Sequence, residues 1–191
     1  MTDAFEVLAR DHAEVKQMLN QLELGAVRQG AAGREQLTQR KKLAEQLIIE
    51  ESRHEAVEEM YFWPAVREHL PEGDDLADTG IGQEDEGKEV LDKLGKLDAG
   101  NPEFEKLLAE FIRAGREHID YEETHVWPEL RAALTAAQSQ EIGSKIEVGK
   151  KTAPTRPHPR VPSTPGALKA TGPAAAAADR ARDAITHRGT N

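Results

Sequence analysis

The sequence predicts an all-α protein: an antiparallel up-down-up-down four-helix bundle with an additional C-terminal helix and a disordered tail. Three observations predict it. Apolar residues recur at spacings of three and four in four separate stretches, the period of a helix with one buried face. No stretch alternates apolar and polar residues as a half-buried strand does. The joints between the stretches are short, which makes successive helices antiparallel neighbours.

The first helix opens at Thr2 or Asp3, either of which can accept from free backbone N–H groups. Phe5, Leu8, Val15, Met18, Leu19 and Leu22 form its apolar face, His12 lies on that face, and Gly25 stops it. Val27 to Gly33 reads as a loop. The second helix runs from about Arg34 to Phe62, with Leu37, Leu43, Leu47, Ile48 and Val57 facing inward. Pro64 ends or kinks it, because proline has no N–H to donate and crowds the preceding turn. A short continuation through Val66 and Leu70 stops at Pro71, and the residues PEGDD form a turn. The third helix covers roughly Leu76 to Leu97, with Val90, Leu91, Leu94 and Leu97 inward. Gly100-Asn101-Pro102 then supplies a stop, a cap and a proline suited to the first helical position. The fourth helix carries Phe104, Leu107, Leu108, Phe111 and Ile112 and ends near Trp127-Pro128. A fifth begins after Thr135, which stands at capping-box spacing from Gln138, and fades near Lys150.

Residues 1–150 thus form one helical domain. From Thr152 the composition changes to proline, alanine and glycine with few apolar anchors. Residues 151–191 therefore read as a mostly disordered basic tail, with room for a short helix near Ala174 to Ile185.

Within the bundle one motif is written twice. His54 to Pro64 and His118 to Pro128 both read H-x-x-x-E-E-x-x-x-W-P. Residues four apart stack on one helical face, so His54 sits beside Glu58 and His118 beside Glu122. One such pair is an ordinary surface contact; two, with the same flanking residues, point to a metal held between two helices. The first and third helices match more faintly: Val15 falls on Val90, Leu19 on Leu94 and Leu22 on Leu97. That alignment sets His12 against Gly87, so an imidazole expected on the third helix is missing. Glu84 and Glu86 are the two candidates to replace it. Glu59 and Glu123, about 100° further round their helices than the ligand glutamates, read as supporting or surface groups. Asp11 can orient a neighbour, and Tyr121 can donate near the site or pack in the core. His69, His125, His158 and His187 have no partner at useful spacing.

Other chemistries fall away. There is no cysteine, which removes disulfides, thiolate metal sites and thiol nucleophiles, and leaves His, Asp and Glu to hold iron, manganese or zinc. The net charge of −10 argues against a nucleic-acid partner for the main body. No apolar run approaches the ~20 residues of a membrane span, and the acidic, amphipathic N-terminus is unlike a secretory signal, so a soluble cytoplasmic protein with no membrane partner is expected. HEAVE carries Glu58 where a zinc protease needs its second histidine. No phosphate loop or serine elbow is present.

A D-H pair on the first helix, with H-x-x-x-E-E before an aromatic-proline on the second and again on the fourth, resembles the hemerythrin-like family, the HHE cation-binding domains. The resemblance covers about residues 1–150. It implies a four-helix bundle with two non-haem iron ions bridged by an oxo or hydroxo group. His12, His54, Glu58, His118 and Glu122 match the family's iron ligands, with the glutamates as bridges, and Glu84 or Glu86 completes the set. The departure at Gly87 trades imidazole for carboxylate, a harder anionic donor that favours ferric iron. The resemblance therefore implies redox chemistry on hydrogen peroxide, oxygen or nitric oxide. The alternatives are a reversible oxygen-binding or sensing module, and an iron storage or donation protein.

Overall fold

The computed structural model of the protein describes residues 2–25, 33–186 and 188. Among them every regular element is helical. Four long helices form the bundle: α1 (Ala4–Leu24), α2 (Arg34–Val57), α4 (Gly73–Gly95) and α5 (Pro102–Tyr121). They pack in a closed ring, α1 on α2, α2 on α4, α4 on α5 and α5 on α1. Short helices α3 (Trp63–His69) and α6 (Trp127–Ala133) continue α2 and α5, and α7 (Ala136–Lys150) lies against α1 and α2. The helix α8 (Pro165–Thr186) follows. No helix among the described residues is long and apolar enough to cross a membrane.

The caps follow the local chemistry. Asp3, rather than Thr2, caps α1 through Phe5 N–H, at 2.9 Å. Asn101 accepts from Glu103 N–H ahead of α5, with Pro102 at its first position. Thr135 and Gln138 close the expected capping box of α7. The loop read at Val27 to Gly33 lies outside the described residues, apart from Gly33, which caps α2.

Three expectations are corrected. The third bundle helix starts at Gly73 instead of Leu76, so it recruits most of the predicted PEGDD turn and ends at Gly95. Pro64 neither ends nor breaks the second helix. Instead Glu58–Phe62 forms a π-turn in which Trp63 N–H reaches back five residues to Glu58 O, and α3 runs on. Glu122–Val126 repeats this before Pro128, with Trp127 N–H donating to Glu122 O. One inserted residue lets a helix pass a proline that cannot bond to the carbonyl four back. Finally, the tail expected to be disordered is packed. Segment 151–164 runs as a strap into the 22-residue helix α8, which contains Pro173 and lies against the π-turn Glu58–Phe62.

The core divides in two. One apolar cluster holds Phe5, Leu8, Val57, Phe62, Trp63, Ala77 and Val126. The other holds Val15, Leu19, Leu47, Ile48, Leu94, Phe104, Leu108 and Phe111. Along each bundle helix and its continuation the boundary falls at a polar residue: His12 between Leu8 and Val15, His54 between Ile48 and Val57, Glu84 between Ala77 and Val90, Glu122 between Ile119 and Val126.

Candidate metal centre

These boundary residues form one buried polar layer across the bundle. Two overlapping donor groups emerge: His12, His54, Glu58 and Glu122, and Glu58, Glu84, His118 and Glu122, each with its ligating atoms within 4.8 Å of one another. Glu58 and Glu122 belong to both. Six side chains from four helices thus describe two adjoining positions that share two carboxylates. The positions differ in kind, one adding two imidazoles and the other an imidazole and a carboxylate.

The distances are those of groups gathered around a common centre. His12 Nε2 stands 3.2 Å from His54 Nε2 and 3.1 Å from Glu122 Oε2. His54 Nε2 stands 3.1 Å from Glu58 Oε2, and His118 Nε2 is 3.4 Å from Glu122 Oε1 and 3.9 Å from Glu84 Oε1. Glu58 and Glu122 are fully buried, and Glu84 is 2 % exposed. Both oxygens of Glu58 and of Glu122, Oε2 of Glu84 and Nε2 of His118 have no hydrogen-bond partner. Buried carboxylate oxygens without partners are costly. Burial first, then the facing Glu122 and Glu84, drives the Glu58 carboxyl well above its ordinary range. Burial and Glu59 do the same for Glu84. At Glu122 burial is outweighed by His118, His12 and His54, which hold it low. Such a cluster fits divalent or trivalent cations, whose charge matches three carboxylates and whose ligands are oxygen and imidazole nitrogen.

The far nitrogens of the imidazoles are held as well. His12 Nδ1–H donates to Glu123 Oε1 at 3.0 Å, and Lys16 holds Glu123 at 2.7 and 2.8 Å. His54 Nδ1 faces Asp11 Oδ2 at 3.5 Å, and Lys150 of α7 holds the other oxygen of Asp11 at 2.5 Å. His118 Nδ1 lies 3.0 Å from Gln83 Oε1. The Glu123 and Gln83 contacts present Nε2 of His12 and His118 as lone pairs to the centre, whereas His54 Nδ1 and Asp11 Oδ2 face each other without a hydrogen bond. Burial disfavours the charged form of His54 and of His118 and lowers both. At His12 burial is outweighed by Glu122 and Glu123, which raise it.

Most expected site residues meet here: His12, His54, Glu58, His118 and Glu122, with Glu84 as the contribution of α4. Glu86 is corrected: it points to solvent, about 200° round the helix from Glu84. Trp63 Nε1–H fixes Glu84 by donating to its Oε1. Glu59 pairs with Lys88 and Glu123 with Lys16, so the second glutamate of each motif takes a lysine. Tyr121 donates to Leu76 O, away from the centre, and His158 has a partner after all in Asp179, at 2.9 Å.

Sequence reasoning missed Gln83, Lys88, Glu51 and Glu55, all on bundle helices beside the centre. Glu51 and Glu55 were legible by spacing alone, at three residues before His54 and three before Glu58. Burial pushes the Glu51 carboxyl up to about 7, against His12 and with Glu122 and Asp11.

The hemerythrin HHE cation-binding domain family matches residues 3–130. An uncharacterized hemerythrin-like protein of Schizosaccharomyces pombe is 32 % identical over 139 residues, 72 % of this chain and 68 % of that one. A crystal structure of a hemerythrin HHE cation-binding domain-containing protein from Mycobacterium kansasii shares the fold, with a TM-score of 0.62 at 21 % identity, covering 79 % of this chain and 86 % of the other.

Proposed function

The chain belongs to the hemerythrin HHE cation-binding domain family, and from that premise we propose that it holds two non-haem iron ions in this centre and uses them for redox chemistry, with hydrogen peroxide as first substrate and oxygen or nitric oxide as others. One observation carries the reading: two donor clusters share Glu58 and Glu122, buried carboxylates whose four oxygens have no hydrogen-bond partner. His12 and His54 would hold one ion, Glu84 and His118 the other, and Glu58 and Glu122 would bridge them. Iron, when bound, supplies electron exchange and Lewis acidity at positions the protein leaves open.

The chain's own residues supply the rest. Glu123 keeps His12 in the tautomer that offers Nε2 inward, and the Asp11 carboxylate facing His54 Nδ1 favours the same one there by charge. Trp63 aims Glu84, and its indole with Phe62 and Val126 keeps water from the layer. His118, at 9 % exposed, is the ligand nearest the surface. Three carboxylates among six ligands favour the oxidised metal, which supports turnover over reversible oxygen carriage. Peroxide disproportionation balances without an outside reductant, two molecules giving two of water and one of oxygen.

Metal analysis and oxygen evolution from peroxide test this in sequence. The wild-type chain is expected to bind two irons and evolve oxygen. Glu122→Ala, which removes a shared ligand, is expected to lose both ions, and Glu84→Ala about one. Iron content unchanged in Glu122→Ala, or a colour that cycles reversibly with oxygen and shows no peroxide turnover, would count against the proposal.

A further inference from the structure

We propose that the two metal positions differ in affinity for a divalent cation and that Gln83 sets the difference: the position of Glu84 and His118 fills second and empties first. The inference rests on the two-cation reading of the centre proposed above, and adds to it an order of loading and the residue responsible.

The basis is what stands behind each imidazole. A carboxylate there raises the basicity of a ligating histidine, and a hydrogen bond to an ionised acceptor is roughly twice as strong as one to a neutral acceptor. His12 donates from Nδ1 to the Glu123 carboxylate at 3.0 Å, and His54 Nδ1 faces the Asp11 carboxylate at 3.5 Å. His118 Nδ1 donates instead to the amide oxygen of Gln83, at 3.0 Å. Both imidazoles of the first position thus have an anion behind them, and the single imidazole of the second has a neutral group.

The internal repeat shows that this is a departure. The alignment that sets His12 against Gly87 also sets Asp11 against Glu86, and the doubled motif sets Glu123 against Glu59. Symmetry would give the second position Glu86 behind His118, and Glu59 behind an imidazole on α4. Instead Glu86 faces water and Glu59 pairs with Lys88. Gln83, three residues before Glu86, stands where that carboxylate would.

Two further observations point the same way. Glu84 supplies a carboxylate where the first position has its second imidazole, but Trp63 Nε1–H donates to it and draws off part of its charge. Imidazole suits divalent iron and zinc well, so the exchange does not compensate a divalent ion. His118 is also 9 % exposed, against 1 % for His12 and 3 % for His54, which leaves the second position nearer to water. A chain so built holds one ion when metal is scarce and gains the bridged pair only when metal is plentiful.

The test is a titration of the metal-free full-length chain with Zn²⁺, which has no redox chemistry, followed by calorimetry and by NMR of the imidazole nitrogens. Two steps are expected, the second about tenfold weaker or more, with His12 and His54 shifting in the first and His118 in the second. Gln83→Leu is expected to weaken the second step alone, by about 10–100-fold. Gln83→Glu, nearly the same shape, is expected to bring the two steps together, and it decides the matter if Gln83→Leu does not fold. Two equal steps in the wild type, His118 shifting first, or a second step that stays put in the folded variants would overturn the inference and leave the two-cation reading standing. Binding of fewer than two Zn²⁺ by the wild type would overturn both.

Discussion

Glu84 and Glu86 stand two residues apart, yet one is buried among the ligands and the other faces water. Helical rotation separates them, but only the position of the neighbouring helices says which face is inward. Gly80, one turn before Glu84, shows what fixes the answer. A Cβ there would stand 2.2 Å from the Trp63 indole, so the ring occupies the space that a side chain would fill, and from there it donates to Glu84. Gly80→Ala gains about 1 kcal/mol of helix propensity but overpacks a fully buried ring, a cost of about 1–3 kcal/mol. A net loss of stability in urea is expected, with red-shifted tryptophan emission as the indole moves. A variant as stable as wild type with unchanged emission would remove Trp63 from this role. The histidine–glutamate pairs were legible because their spacing is local. The role of Trp63 was not, since its aim depends on the π-turn that carries it.

At the scale of elements, the doubled W-P signalled that something happens to the helix without saying what. A stop, a kink and an inserted residue all accommodate a proline, and the choice lies in packing that local sequence does not contain. The tail was misread for a related reason. Composition counts apolar anchors, and the strap is instead held by polar bonds between residues more than twenty apart. Asp179 accepts from Thr155 N–H and faces His158; Asp183 accepts from Thr155 Oγ1–H and from Arg156. At Asp179 burial is outweighed by His158, and the carboxyl sits below its ordinary 3.8. Its contribution is therefore present above pH 3.8 and is lost as pH falls through the depressed value. At neutral pH, Asp183→Ala removes two of the brackets directly. Trypsin is then expected to cut after Arg160 about tenfold faster, the bond after Arg156 being protected by Pro157, while the fragment before the strap stays helical by circular dichroism. Cleavage at the wild-type rate would mean that other contacts hold the strap.

For the molecule as a whole, a layer of carboxylates and imidazoles between two apolar clusters makes stability a matter of protons and metal together. Glu55, Glu58 and Glu84 all lie well above their ordinary values, burial being the largest cause for each. Above about pH 4.5 the metal-free folded chain therefore holds more protons at these groups than the unfolded chain does, and stability falls as pH rises. His12, raised, adds to that fall through and above pH 6.5. His54 and His118, lowered, act oppositely: the unfolded chain takes up more protons there, so their contribution is lost as pH drops below 6.5. With three raised carboxyls against two lowered imidazoles, the metal-free chain should lose stability as pH rises from about 5 to 9. Cations remove this loss, because they take the place of the protons on Glu58 and Glu84 and are better ligated as those protons leave. Melting temperatures of metal-free and iron-loaded protein, measured from pH 5 to pH 9, should therefore diverge with rising pH, with proton release on metal addition at pH 6. A gap that narrows toward pH 9 would mean that the buried layer ionises without a cation, and that the carboxylates are satisfied by the protein alone.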